Sequence, residues 1–425
     1  MEIAQLHQHF LEYPVVCTDT RKITNNCIFF ALKGDNFNGN TYASEALNKG
    51  AALAIIDEKK YALSEKYILV EDVLRSLQEL ATFHRNYSKA KIISLTGSNG
   101  KTTTKELINA VLSKKYNTIA TKGNLNNHIG VPLTLLSIQP DTELAVVEMG
   151  ANHMKEIEFL CSLAQPDFGY ITNFGKAHLE GFGSEQGIIK GKSELYDHLA
   201  HNDKPIFMNA DDPVQVDKLG DYIKKYGFST ENHEYYQIEF LDANPFVRLK
   251  AEDVEIESQL IGNYNFTNCA AAVLMGKYFN IPLADIKSAI ENYVPDNNRS
   301  QVIEKNGHRI ILDAYNANPT SMKAALENFN QMNGKNKVAF LGDMFELGET
   351  AAEEHQSIAN LVSNLNIQHT FLTGENFARS NGSIEKFESF DLLSAYLKEN
   401  PLQEESLVLI KGSRGMALER ILDLI

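Results

Sequence analysis

The stretch Ile93-Ser-Leu-Thr-Gly-Ser-Asn-Gly-Lys-Thr-Thr-Thr-Lys-Glu106 constrains the fold of this chain more than any other. Apolar Ile92 and Ile93 lead into Gly97 and Gly100, and residues 102–115 carry a helical pattern, so the order is strand, tight turn, helix N-terminus. Unpaired backbone N–H groups and the positive end of the helix dipole favour phosphate at such a turn. Lys101 adds a point charge, and Thr102 a hydroxyl able to reach a magnesium ion. The usual phosphate-loop spacing is a glycine, four residues and then Gly-Lys-Ser/Thr. Counting back from Gly100-Lys101-Thr102 puts Leu95 where that first glycine would stand. The loop is therefore a shortened one, and by itself it names no reaction.

The rest of the chain fits α/β architecture with largely parallel sheets. Short apolar runs at 91–96, 144–148 and 168–172 alternate with longer helical patterns, and each ends in a polar or glycine-bearing turn, where open α/β sheets place ligands. A second alternating series runs through 309–314, 338–342, 370–373 and 407–411. Lys89-Ala-Lys91 precedes the loop strand, and Val294-Pro-Asp-Asn-Asn298 has the composition of a linker. These boundaries predict three domains, 1–90, 91–297 and 298–425, which suits 425 residues at roughly 100 to 200 per domain. Residues 231–251 are too irregular to assign beyond edge strands and loops.

A formal net charge of -15 argues against a nucleic-acid or membrane-surface binder and leaves small anionic substrates open. No segment approaches the roughly 18 apolar residues of a membrane span. Cys17, Cys27, Cys161 and Cys269 show neither close pairing nor metal-ligand spacing, so reduced thiols in the cytoplasm are expected.

Glu148 and His178 follow adjacent apolar runs, and at neighbouring strand ends a carboxylate and an imidazole could hold magnesium or manganese against phosphate oxygens. A structural carboxylate and a solvated loop histidine are the alternatives. Asn265 and Asn268 stand three apart at the start of a helical pattern over 264–278, so both amides can face one ligand, with N-capping the alternative for Asn265. An Asn-Lys-x-Asp guanine clamp is missing, which favours transfer chemistry over a nucleotide switch.

Thr96-Gly-Ser-Asn-Gly-Lys-Thr-Thr103 resembles the shortened phosphate loop of the Mur ligases, ATP-dependent amide-bond-forming enzymes of peptidoglycan precursor synthesis. The resemblance runs through most of the chain. It includes Thr18-Asp-Thr-Arg21, Gly123-Asn-Leu-Asn-Asn-His-Ile-Gly-Val-Pro132, Val147-Glu-Met-Gly-Ala-Asn152, Asn263-Tyr-Asn-Phe-Thr-Asn268, Asp313-Ala-Tyr-Asn-Ala-Asn-Pro319, Gly342-Asp-Met-Phe-Glu-Leu-Gly348 and Lys411-Gly-Ser-Arg414. Within the family these segments are similar to those of the members that add D-alanyl-D-alanine to UDP-N-acetylmuramoyl-tripeptide.

The resemblance implies a small α/β N-terminal UDP-binding domain, a central P-loop mononucleotide-binding domain with a parallel sheet, and a C-terminal Rossmann-like α/β domain that closes on ATP and the dipeptide. It implies ATP contacts from Gly97, Ser98, Asn99, Gly100, Lys101, Thr102, Thr103, Asn265, Asn268, Arg299 and Asp313. Lys101, Glu148, His178 and Lys192 would be catalytic; Thr102, Glu148, His178 and Lys192, the last if carbamylated, would face magnesium. Substrate contacts are implied for Thr18, Asp19, Thr20, Arg21, Asn126, Asn127, Tyr315, Asn316, Asn318, Lys411, Ser413 and Arg414. A monomer is expected. A sister Mur ligase, a folylpolyglutamate synthase-like ligase and a non-catalytic sensor stay open as alternatives. Against the second stands a unit of about ninety residues ahead of the loop, where such synthases begin close to theirs.

Overall fold

A computed structural model describes residues 2–402 and 405–425, so residue 1 and residues 403–404 of the expected units lie outside it. Three main sheets organise the chain. The first is parallel and four-stranded, in the order Val16–Cys17, Ile28–Phe30, Leu53–Ile56, Tyr67–Leu69. The second has nine strands, in the order Val254–Ile261, Phe246–Ala251, Tyr236–Ala243, Lys225–Ser229, Ile206–Asn209, Phe168–Ile171, Lys91–Thr96, Leu144–Glu148, Thr118–Ala120. The third has six: Gln301–Lys305, His308–Asp313, Leu407–Lys411, Lys337–Gly342, His369–Thr373, Glu385–Phe387, parallel apart from the antiparallel first edge strand.

The strand Lys91–Thr96 shows why the loop is short. Its residues after Lys91 are buried, and they alternate between two cores: Ile92 faces one, Ile93 and Leu95 the other, with Leu107, Ile108 and Val111 of the following helix. Leu95 is thus still strand interior, where a glycine would forfeit about 2 kcal/mol of apolar burial. The turn starts two residues later. Gly97 (φ 141°) and Gly100 (φ 80°) take conformations that side chains avoid, and a Cβ on Gly97 would stand 2.0 Å from Thr172 Oγ1. The helix Lys101–Leu112 begins at once.

Residues 231–251, expected as edge strands and loops, form two well-paired antiparallel strands that a third, Val254–Ile261, extends into a meander at the sheet edge. A register break between Phe240 and Asp242 interrupts the alternation that would otherwise have marked them.

The helix Val73–Tyr87 joins the first unit to the second. Leu77, Leu80 and Ala81 share one core with Val131, Leu135 and Leu160, and Arg85 pairs with Asp167 at 2.8 Å and donates to Ala164 O at 3.0 Å. Within it, His7 Nε2 lies 3.1 Å from His84 Nδ1, and His84 Nε2 lies 3.0 Å from Ile138 O. All four cysteines are free and buried, and burial pushes the Cys269 thiol up to about 12, so they are packing groups. Among the described residues no helix is long and apolar enough to cross a membrane.

Candidate active site

Three parallel strands, Phe168–Ile171, Lys91–Thr96 and Leu144–Glu148, are neighbours and present their carboxyl ends to one side. There a cavity of about 760 Å³ opens between the second and third units. Ser98, Asn99, Gly100, Lys101 and Thr103 of the loop line it.

The loop is held by the segment after Phe168–Ile171. Ser98 N donates to Asn173 O and Asn99 N to Asn173 Oδ1, each at 3.0 Å, while Thr172 Oγ1 donates to Asn99 O at 2.6 Å. Asn173 was not singled out in the sequence, although it directly follows a recognised strand. Lys101 Nζ curls back to Gly97 O (2.8 Å) and Ser98 O (3.2 Å). Enclosure pushes its ammonium down to about 8, against the opposing pull of Glu148 and with help from the Arg299 charge.

Glu148 is 1% exposed, and each carboxylate oxygen has a partner: Oε2 accepts the Thr102 hydroxyl at 3.0 Å and Oε1 accepts Asn126 Nδ2 at 2.7 Å. Asn127 lines the cavity beside it while its own Oδ1 accepts Gly130 N at 2.9 Å. His178 takes a left-handed backbone (φ 56°), and its Nδ1 lies 2.5 Å from Glu346 Oε2. At this separation the two groups form a close polar pair. The ring holds the Glu346 carboxyl below its ordinary range. Glu346 sits in the Gly342–Gly348 motif, but only packing of the 178–183 turn against it reveals the pairing.

Lys192 does not line the cavity. It is fully buried on the helix Glu185–His201, donating at 2.8 Å to the carbonyl of Ala151, a cavity-lining residue, with its Nζ 5.0 Å from the Phe182 ring centroid. Burial lowers its pKa well below that of an ordinary lysine, and the Lys101 charge lowers it further.

Asn265 occupies the N-cap position of the helix Phe266–Tyr278 but makes no capping bond. Its Nδ2 donates to Ile261 O (2.7 Å) and its Oδ1 accepts Asn268 Nδ2 (2.8 Å); Asn268 Oδ1 accepts the Thr104 hydroxyl (2.9 Å). The amide pair is therefore tied to the phosphate-loop helix, and both residues line the cavity. Tyr264 OH lies 3.0 Å from Ser300 Oγ.

From the third unit, Arg299 stacks 3.7 Å over the Tyr315 ring and leaves its buried Nε without a hydrogen-bond partner among the described residues. Asp313 accepts Ser300 N at 3.1 Å and pairs with Lys411 at 2.5 Å. Asn316 and Asn318 also line the cavity. Asn318 caps the helix Pro319–Gln331, accepting Ser321 N at 2.9 Å, and its Nδ2 crosses to the phosphate loop, donating to Asn99 Oδ1 at 2.7 Å.

Besides Lys192, Gly97 and Thr102, two groups of expected residues lie outside the cavity lining. Ser413 is buried and serves the local backbone, accepting Phe345 N at 2.9 Å, while Arg414 turns to Glu419 at 3.1 Å. Thr18, Asp19, Thr20 and Arg21 stand on the first unit, where Arg21 is 86% exposed and its bonds to Asp19 hold that carboxyl down to about 2.

The described residues hold no group of three or more His, Cys, Asp or Glu side chains arranged for a metal. Thr102 and Glu148 instead offer two hard oxygen donors beside the loop, the donor type magnesium takes when phosphates and water complete its shell.

A phosphate loop, its strand-end carboxylate and a bridging third α/β unit define the Mur ligase class, and the chain belongs to that family. The matching profiles are "Mur ligase family, catalytic domain" over residues 12–85, "Mur ligase middle domain" over 95–276 and "Mur ligase, glutamate ligase domain" over 298–414. A Bacillus subtilis relative, UDP-N-acetylmuramoyl-tripeptide--D-alanyl-D-alanine ligase, is 36% identical over 96% of this chain and 92% of its own length. A MurF crystal structure from Acinetobacter baumannii superposes with a TM-score of 0.84 at 30% identity, covering 96% of this chain and 92% of that one. The MurF ligase from Thermotoga maritima in complex with ADP also gives 0.84, at 26% identity and 97% of both chains.

Proposed function

We propose that this chain is an ATP-dependent ligase that joins D-alanyl-D-alanine to UDP-N-acetylmuramoyl-tripeptide, releasing ADP and phosphate. The observation that carries the reading is one cavity in which the phosphate loop, Glu148 and the Asn99–Asn318 bridge meet. It stands in a chain 36% identical along nearly its whole length to a relative of that name.

A carboxylate resists attack by an amine because it offers no leaving group. Here an oxygen of the tripeptide's terminal carboxylate attacks the γ-phosphorus of ATP, forming an acyl phosphate and releasing ADP. The free amine of D-alanyl-D-alanine then attacks the acyl carbon, and the tetrahedral intermediate expels phosphate and loses a proton. The amide retains one of the two carboxylate oxygens and phosphate leaves with the other.

Lys101 supplies positive charge to the transferring phosphoryl group, and Arg299, with its free Nε, is placed to supply more. Magnesium, or manganese, held by Thr102 and Glu148 would neutralise phosphate charge as it spreads. Asn265 and Asn268 suit the adenine side, and Asp313 a ribose hydroxyl in exchange for its Lys411 contact. Burial shifts Lys192 toward the neutral amine, the form that combines with CO2 to give a carbamate and a proton, which supports an anionic role beside the site. His178, joined to Glu346, would bring the third unit against the metal side as the site closes and excludes water from the acyl phosphate.

Residues 1–90 would take the UDP end of the substrate, with exposed Arg21 available to a pyrophosphate and Asn126 and Asn127 on the central side. Residues 91–297 would bind ATP, and 298–425 would close with the dipeptide. The reading places the protein in the cytoplasm as a monomer.

The test is phosphate release from ATP with UDP-muramoyl-tripeptide, with and without D-alanyl-D-alanine, and products weighed by mass spectrometry. Dipeptide-dependent release with a pentapeptide product is expected. Tight binding of the UDP-tripeptide with no product would refute the reading in favour of a sensor.

A further inference from the structure

One buried cation has no task in the chemistry above. Lys105 lies on the helix Lys101–Leu112, and its spacing puts Thr102, Lys105 and Glu106 on one helix face. Its side chain is 2% exposed. Nζ sits 3.4 Å from Gly123 O, 3.6 Å from Glu106 Oε1 and 3.8 Å from Glu148 Oε2. That last oxygen is the one that accepts the Thr102 hydroxyl. Glu106 is itself gripped by the Tyr293 hydroxyl and, at 3.3 Å, by Asn297 Nδ2, in the segment that links the second and third sheets. The ammonium is thus walled in, unable to swing to water as a surface lysine does.

We infer that Lys105 is a fixed counter-charge that makes divalent-cation binding at Thr102 and Glu148 conditional on the nucleotide. The inference rests on the reading of those two residues as magnesium donors. A metal ion arriving alone meets Glu148 and Glu106 set against two ammoniums, Lys105 between the carboxylates and Lys101 close enough to feel Glu148, so the local charges cancel. It must give up water for a site with no net negative charge to offer. The polyphosphate of a nucleotide reverses that sum, so metal and nucleotide enter together. Departure of the nucleotide reverses it again and lets the metal leave. Lys105 touches neither phosphate nor substrate; it is a positioning residue that acts through Glu148.

The test reads metal binding by following the free Mn2+ resonance in paramagnetic spectra of the full chain, with and without ADP, each against a protein-free sample holding the same Mn2+ and ADP. Wild type is expected to take up Mn2+ with ADP and only weakly without it. Lys105→Met should bind nucleotide-free Mn2+ on the order of tenfold tighter, while Lys105→Arg, which keeps the charge, should match wild type. Unchanged or weaker nucleotide-free binding in Lys105→Met would overturn the inference. Should that variant fail to fold, Glu106→Gln gives the opposite sign: with the nearer anion removed, Lys105 bears more fully on Glu148, and Mn2+ uptake with ADP must weaken. No weakening there is equally fatal. Wild type that takes up no Mn2+ even with ADP would refute the magnesium reading itself, a different failure from either.

Discussion

Asn318 does two jobs with one side chain, and they can be separated. Its Oδ1 caps the helix Pro319–Gln331 by accepting Ser321 N, which fixes the amide so that Nδ2 must face Asn99 Oδ1 across the cavity. Asn318→Ala removes both. Losing the cap costs about 1 kcal/mol of stability, and losing the bridge about 1 kcal/mol more wherever the units are closed. Asn318→Asp keeps the capping oxygen and replaces the crossing donor with a second acceptor opposite Asn99 Oδ1. Stability by urea titration should then stay within about 0.5 kcal/mol of wild type, while kcat/KM for ATP falls roughly five- to tenfold. Asn99→Ala combined with Asn318→Asp should recover part of that loss, because the repelling oxygen is gone. Full activity in Asn318→Asp would refute the bridge as part of the working site. Destabilisation equal to that of Asn318→Ala would refute the division of labour within the side chain.

Other consequences follow from single groups. Lys101, held near 8 in the free protein, loses its charge as pH rises through that value, so kcat/KM for ATP should fall above about pH 8, whereas kcat, read with phosphates bound, should hold to higher pH. His7 and His84 are both pushed below 6.5, by burial first and, for His7, by its neighbour's charge second. A depressed histidine favours the neutral folded state, so this stability is complete above about pH 6.5 and is lost as pH falls below it, when only the unfolded chain takes up the protons. Urea midpoints measured from pH 7.5 down to 5 should drop, and less steeply in His7→Leu. Gly100→Ala adds a Cβ 2.6 Å from Asn268 Oδ1 at φ 80°. Left-handed strain of about 1–2 kcal/mol plus about 1–3 kcal/mol for disturbed buried amide bonds should destabilise the protein and raise KM for ATP, which thermal melting and kinetics would show.

The phosphate loop and its strand were legible because local chemistry dictates them. Gly97 and Gly100 stand where only glycine is unstrained, and Leu95 reads as strand interior once the turn is placed. Glu148 and His178 are legible as cavity-lining groups because open sheets of this kind place their clefts at strand ends. Other features depend on distant packing. Glu346 acquires meaning only when the turn after His178 folds against it, and Lys105, one lysine on a helix, looks solvated until Gly123, Glu106 and Glu148 close round it. Asn265 sits where a cap belongs, yet its amide was claimed by Ile261 and Asn268, which sequence spacing does not reveal. Ser413 followed a strand end as a ligand residue would, but the neighbouring backbone uses it.

The central claim is that this site activates a carboxylate through phosphorus, and isotopic oxygen tests it most directly. UDP-muramoyl-tripeptide carrying 18O in both oxygens of its terminal carboxylate is turned over with ATP and D-alanyl-D-alanine, and the released phosphate is weighed. One 18O in each phosphate, with the other retained in the new amide, is the expected result. Phosphate free of 18O would contradict the acyl phosphate and the account of the site built on it.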